Sequence, residues 1–214
     1  MDNSDPHRGQ PVQRRGPEAT AARLTVILVH GRNAAAANIL ATASEIGMPA
    51  DVALVAPQAA GNTWYPLSFL SEIEKNEPFL SSALGVLEQV VDDLEGRGIP
   101  ASRIALLGFS QGACLTLEFA ARHARRYAAI VGLSGGLIGP PGTPRTYPGA
   151  FDDTPIFLGC SDVDAHIPLE RVRESADVFR RMGAAVDMRI YPQMGHLVNR
   201  DEMDAVQALL RRRE

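Results

Sequence analysis

A chain of 214 residues, 45% apolar and 21% charged, has the composition of a globular domain long enough to bury roughly 70% of its unfolded surface. Its net charge of -4 excludes the basic field that nucleic acid or an anionic lipid surface requires. No stretch approaches the roughly 20 consecutive apolar residues of a membrane span. The two cysteines and the scattered histidines show no metal-ligand spacing, so neither a metal nor a cofactor is expected.

In chain order, residues 1–21 are polar, basic and proline-bearing, with no apolar run after Arg8, Arg14 or Arg15. They read as a disordered tail rather than a secretory leader, which makes 22–214 the single domain. Leu24 to Val29 is a fully apolar strand pattern, followed by His30-Gly31 and an alanine-rich helical stretch from about Asn33 to Ile46. Val52 to Ala56 is the next strand, stopped by Pro57. Residues 68–95 carry helical periodicity but contain Pro78, which predicts two helices or a kinked one. Further strands are expected at 103–107, 128–133, 155–160 and 186–191, with helices near 111–124, 168–182 and 200–212. Gly183 stands where the second of these helices should stop.

Strands that alternate with helices and are too apolar to keep a wet face indicate a mostly parallel sheet of six or seven strands, covered by helices on both sides. Residues 135–155 are rich in glycine and proline and form a long loop, expected at the rim of a pocket. Cys114 and Cys160 fall in core elements and read as reduced, buried side chains, which suits a cytoplasmic setting.

The chemistry is carried by Gly108-Phe109-Ser110-Gln111-Gly112, set between the strand pattern Arg103–Leu107 and a helix that begins near Gln111. A G-x-S-x-G at that junction is a nucleophile elbow: the turn is sharp, the serine takes strained backbone angles, and its hydroxyl stands clear of the sheet. Reacting groups in such sheets collect on loops after the strands. The strand at 155–160 runs into Asp162-Val163-Asp164, and the strand at 186–191 runs into Gly195-His196. Ser110, Asp164 and His196 thus follow the serine, acid, histidine order of the α/β-hydrolase fold.

All three residue types are needed. A serine hydroxyl is a weak nucleophile at neutral pH until a neutral imidazole takes its proton. The imidazole in turn needs a carboxylate to fix its tautomer. Asp162 and Asp164 compete for the acid position, and Asp164 is the stronger candidate. The tetrahedral oxyanion needs preorganised backbone donors. Gln111, after the nucleophile, and Arg32, after His30-Gly31, are the two candidates, each through its amide. His166 lies too near the acid in sequence to come from a separate strand end and is expected at the pocket edge. His30 is expected to pack within its loop, His7 to belong to the tail, and Ser134 to make a turn.

With those residues in view, the chain resembles the phospholipase/carboxylesterase family of small α/β-hydrolases. The matching pieces are Val29-His30-Gly31, Ala56-Pro57, Asn62-Thr63-Trp64-Tyr65, Gly108-Phe109-Ser110-Gln111-Gly112, Asp162-Val163-Asp164 with Ile167-Pro168, and Gly195-His196. The resemblance implies a fold without a large cap domain. It also implies a serine hydrolase acting on small-molecule carboxylic esters or thioesters, with Ser110, Asp164 and His196 as triad and Arg32 as the second oxyanion amide. Trp64 and Tyr65 would line the substrate pocket by the same resemblance, while on the residues alone core packing is an equal reading. Arg32-Asn33-Ala34 departs from the Leu-Gly-Asp typical of thioesterase-like members and favours a carboxylesterase. A non-catalytic binding protein on the same fold is the alternative of a different class. A homodimer through an exposed edge strand stays open.

Overall fold

The computed structural model describes residues 5–211. Seven strands form one sheet: β1 (Val12–Arg15), β2 (Leu24–Val29), β3 (Val52–Pro57), β4 (Ile104–Phe109), β5 (Ala129–Leu133), β6 (Pro155–Ser161) and β7 (Ala185–Tyr191). The spatial order is β1-β3-β2-β4-β5-β6-β7, and every pairing is parallel except β1 with β3. Five helices flank it: α1 (Ala36–Ile46), α2 (Phe79–Gly96), α3 (Gln111–Arg122), α4 (Leu169–Arg181) and α5 (Arg200–Arg211).

The apolar runs of β2 to β6 are buried on both faces, as helices on both sides require, while the edge strand β7 is only half-buried. Val26, Leu28, Leu107 and Val131 point with α1 and α5 into one core, while Ile27, Val29, Leu106 and Ile130 point with α2, α3 and α4 into the other. The chain winds outward from β2 to β3, then returns to place β4 on the other side of β2. This reversal opens a crevice beyond the C-terminal ends of β2 and β4, where α/β sheets bind ligands.

Two expectations about the fold are corrected. Residues 5–21 are not a disordered tail. β1 pairs antiparallel with β3, from Val12 opposite Pro57 to Arg15 opposite Leu54. His7 is buried, with Nε2 donating to the Trp64 carbonyl (2.8 Å) and Nδ1 accepting from the Ala60 amide (3.0 Å). Composition misses such a strand because backbone groups pair it while its polar side chains face water. Of the two readings of 68–95, the structure has the two helices: a 3-10 turn at Ile73–Asn76, then α2, with Pro78 immediately before α2, where its missing N–H removes no helical bond.

The 135–155 segment, lastly, does not line the cavity over Ser110. It is anchored on the flank of the fold by Arg171, which donates to the carbonyls of Leu137 (2.7 Å) and Gly139 (2.6 Å). The buried Glu118 carboxylate accepts from the Ile138 amide (3.1 Å) and the Tyr147 hydroxyl (3.2 Å). Charged partners at both ends hold this irregular backbone in place without secondary structure.

The start of α5 fixes the chain just after His196. Asn199 Oδ1 accepts from the Glu202 amide (2.9 Å), and Glu202 Oε2 accepts from the Asn199 amide (2.8 Å), a reciprocal capping box. Glu202 is fully buried, and its other oxygen fits against Gly159, where any side chain would collide with it. Burial pushes this carboxyl up to about 7. A carboxyl raised on folding binds its proton more tightly in the folded state, so its contribution to stability falls as pH rises from the unfolded carboxylate range towards 7. Glu202→Gln keeps the acceptor and removes the charge; its Tm should exceed that of wild type by roughly 3–6 °C at about pH 8 and lose that margin near pH 5. Thermal melts across that range check it, and an equal or lower Tm at the higher pH would refute the assignment.

Candidate active site

Ser110 joins β4 to α3 with φ 55° and ψ -123°, a conformation that costs a side-chain-bearing residue about 1–3 kcal/mol. Close packing holds it there. A methyl group on Gly108 would run into the backbone of Gly112 and Ala113, and one on Gly112 into the carbonyl oxygens of Val29 and His30. Only bare glycine backbone lets α3 approach β2 and β4 this closely. The Ser110 amide is secured by the Leu133 carbonyl of the next strand (2.9 Å).

The structure brings Ser110, His196 and Asp164 together from three loops. Ser110 Oγ lies 2.8 Å from His196 Nε2, and His196 Nδ1 lies 2.7 Å from Asp164 Oδ2. With the carboxylate accepting from Nδ1–H, Nε2 is left as the acceptor for the serine hydroxyl. Asp164 also accepts the amides of His166 (2.8 Å) and Ile167 (3.1 Å) through Oδ1. Its side chain is wholly shielded from water. Burial works against its charge, but the hydrogen bonds from His196 and the two amides outweigh it and hold the carboxyl below its ordinary value. Asp162 does not touch the imidazole; its Oδ1 accepts the Gln193 amide (2.8 Å) and so ties the acid-bearing loop to the histidine-bearing one. Ser161 does the same by accepting the Gly195 amide (3.0 Å).

The other histidines sort by contact. The His166 ring meets His196 edge-on at 4.8 Å between centroids and lines the opening beside it. His30 is buried, accepts the Ala59 amide at Nε2 (3.1 Å) and bonds the Gly31 carbonyl through Nδ1 (2.8 Å), away from Ser110. Burial lowers its proton affinity, consistent with a neutral ring.

A cavity of about 500 Å³ opens over Ser110 and His196, with Tyr65, Leu67, Phe69 and Ile167 among its apolar walls. Arg32 and Gln111 also border it. Gln111 opens α3, so its amide has no intrahelical acceptor, and the Arg32 amide has no backbone acceptor among the described residues. Neither N–H is thus engaged by a backbone acceptor among the described residues. Trp64 is a correction: it does not line this cavity but is fully buried, its indole N–H donating to the His30 carbonyl (2.8 Å) and its ring against His30 at 4.9 Å. A larger hollow, about 880 Å³, lies at the opposite ends of the strands, around Leu24, Ala129 and Pro155, remote from this chemistry.

Sequence reasoning missed two contributors. The Cys160 thiol lies 3.9 Å behind Asp164 Oδ2, and burial pushes it up to about 12, so it stays neutral beside the carboxylate. Cys114, one turn after Ser110, borders the cavity. Side-chain alternation along the strand marks Cys160 as core but says nothing of its distance to the acid. Among the described residues no three histidine, cysteine or acidic side chains converge as a metal ion would require, and no helix is long and apolar enough to cross a membrane.

A serine on a glycine elbow at the switch point of a mostly parallel sheet, bonded to a histidine and an aspartate from later strand ends, defines an α/β-hydrolase. The sequence profile of the phospholipase/carboxylesterase family matches residues 17–213, and the chain belongs to that family. It is similar to the phospholipase/carboxylesterase of Dyadobacter fermentans, whose crystal structure superposes with a TM-score of 0.90 at 39% identity over 94% of this chain and 96% of that one. Esterase PE8 shares the fold at 24% identity, with a TM-score of 0.76 over 94% of this chain and 97% of that one. Among curated proteins, acyl-protein thioesterase 1 of Gibberella zeae is 31% identical over 59% of this chain and 53% of its own length. The chain spans about half the length of the first curated relatives it matches.

The packing at the elbow has a measurable consequence. Gly112→Ala should lower Tm by about 10 °C or prevent soluble expression, because the added methyl meets two fixed carbonyls. Gly85→Ala, in open space on α2, should raise Tm by a few degrees at roughly 1 kcal/mol of gain. Equal melting temperatures for the two variants would contradict the close approach of α3.

Proposed function

We propose that the protein is a serine carboxylesterase that cleaves small carboxylic esters through an acyl-enzyme intermediate. The observation that carries this reading is the continuous relay from Ser110 Oγ through His196 to the buried Asp164, with both links under 3 Å. Ser110 Oγ attacks the ester carbonyl carbon while its proton passes to His196 Nε2. The carbonyl oxygen, now an anion, faces the amides of Arg32 and Gln111. Collapse expels the alcohol oxygen, which takes the proton from Nε2. A water then gives a proton to Nε2 and attacks the acyl carbon, and Ser110 departs with that proton restored. Asp164 holds the Nδ1–H tautomer throughout and offsets the charge of the imidazolium.

The thioesterase reading is favoured by the names of several relatives, acyl-protein thioesterase 1 of Gibberella zeae among them. It shares every step, with a thiol as leaving group. Against it stands the modest size of the cavity, about 500 Å³ bordered by Tyr65, Phe69 and Ile167 and open to solvent on its outer side. Side-by-side rates on p-nitrophenyl esters and acyl thioesters of two to sixteen carbons separate the two, and faster turnover of long thioesters would displace the esterase reading. The unpaired, buried Cys114 and Cys160 suit a reducing compartment, which supports a cytoplasmic setting.

Ser110→Ala should abolish turnover of p-nitrophenyl butyrate and labelling by a fluorophosphonate while leaving Tm close to wild type. Activity retained in that variant would refute Ser110 as the nucleophile, whereas no labelling of the wild type would favour a binding protein on this fold. Asp164→Asn should lower kcat on the order of a thousandfold or more, because the wrong tautomer is then favoured, whereas Asp162→Asn should cost about tenfold or less. The reverse ranking would move the acid to Asp162.

A further inference from the structure

The two residues proposed to supply oxyanion amides, Arg32 and Gln111, also use their side chains, and on the same target. Gln111 Oε1 accepts the Trp64 amide (2.9 Å), and its Nε2 donates to the Tyr65 carbonyl (2.8 Å). Arg32 Nη1 donates to the Pro66 carbonyl (2.7 Å) and Nη2 to the Leu67 carbonyl (2.5 Å). Four consecutive residues, 64 to 67, are thereby fastened to the two oxyanion amides. A further tether runs from the Asn33 amide to the Asn62 carbonyl (2.8 Å).

This strap contains no helix or strand, yet it forms one wall of the cavity through Tyr65, Pro66 and Leu67. Its inner end is buried and held by Gln111, whereas Pro66 and Leu67 are exposed. Two side chains hold the outer end: the buried Asn76, whose Oδ1 accepts the Leu67 amide (2.8 Å) and whose Nδ2 donates to the Ser68 carbonyl (3.0 Å), and the Arg32 guanidinium, which alone ties the 66–67 carbonyls to the loop after β2. The Arg32 loop has the same problem in mirror image. It follows β2 without regular structure, Asn33 sits at φ 60°, and its outward face is open to water. The fork of Arg32 braces each irregular segment against the other.

We propose that the Arg32 side chain is a positioning residue: by clamping the 66–67 carbonyls it sets the place of its own backbone amide in the oxyanion hole and the width of the adjoining substrate wall. The proposal rests on the serine hydrolase reading of this site. A planar guanidinium presents two parallel N–H groups to two neighbouring carbonyls, a geometry that a lysine ammonium cannot reproduce. The clamp is exposed, so its loss should barely alter stability. Catalysis is more sensitive, because an oxyanion donor displaced by about 1 Å loses much of its effect.

The test compares wild type, Arg32→Ala and Arg32→Lys by Tm, steady-state kinetics on p-nitrophenyl butyrate, fluorophosphonate labelling, and inhibition by a butyl boronic acid, which forms a tetrahedral adduct on serine. Both variants should melt within a few degrees of wild type and still label at Ser110. In Arg32→Ala, kcat should fall on the order of tenfold and boronate affinity should weaken in step, with a smaller change in KM. Arg32→Lys should recover only part of the loss. A fall in kcat of less than about threefold in Arg32→Ala, or a loss of kcat with boronate affinity unchanged, overturns the proposal. Failure of the wild type itself to label would instead overturn the hydrolase reading.

Discussion

The close approach of α3 to β2 and β4 is the constraint on which the rest of the site depends. Gly112 lies where any side chain would strike the carbonyls of Val29 and His30, and Gly108 lies against the backbone of Gly112. With the helix pressed this tightly onto the sheet, the one residue between strand and helix must take a positive φ, and that residue is Ser110. The strain is stored in a place where the fold supplies the compensation: β4 and α3 are both buried along nearly their whole length. The same turn brings the Gln111 amide to the open end of the helix, so the strained serine and the unpaired amide beside it arise from one backbone event.

Around that rigid elbow, the remaining parts are borne on loops and held by polar ties rather than by packing. The acid loop and the histidine loop are joined through Asp162 and Ser161, each of which accepts an amide from the turn before His196. The capping box of Asn199 and Glu202 then fixes where the histidine loop ends. On the other side of Ser110, Gln111 and Arg32 hold the 64–67 strap. Irregular backbone is thus given defined partners wherever it borders the reacting atoms, as preorganised donors require. Farther out, Glu118 and Arg171 treat the 135–155 segment in the same way, which is why that long loop is fixed rather than free.

The legible parts of this site share one property: they are encoded locally. The elbow is a contiguous pentapeptide, and the acid and histidine each follow an apolar strand directly, so periodicity and punctuation locate them. The family resemblance also pointed to Arg32, which borders the cavity. The parts that were misread depend on partners far away in the chain. β1 exists because β3 offers an unpaired edge some forty residues later, and nothing in Val12–Arg15 itself signals a strand. Trp64 turned inward because the His30 carbonyl, thirty-four residues earlier, takes its indole N–H. The preference for Asp164 over Asp162, two residues apart, was by contrast read correctly, and loop geometry sets the contact that the imidazole makes with it.

By itself, the order of residues settled the alternation of strands and helices, the parallel sheet, and which serine, histidine and pair of aspartates belong to the site, because each follows from short-range pattern and steric necessity. Folding in three dimensions decided which aspartate meets the imidazole, that the N-terminal segment completes the sheet, and that the Arg32 and Gln111 side chains grip the cavity wall. These are contacts between segments distant in sequence. Their existence depends on distances of a few tenths of an ångström, which only the packed chain sets.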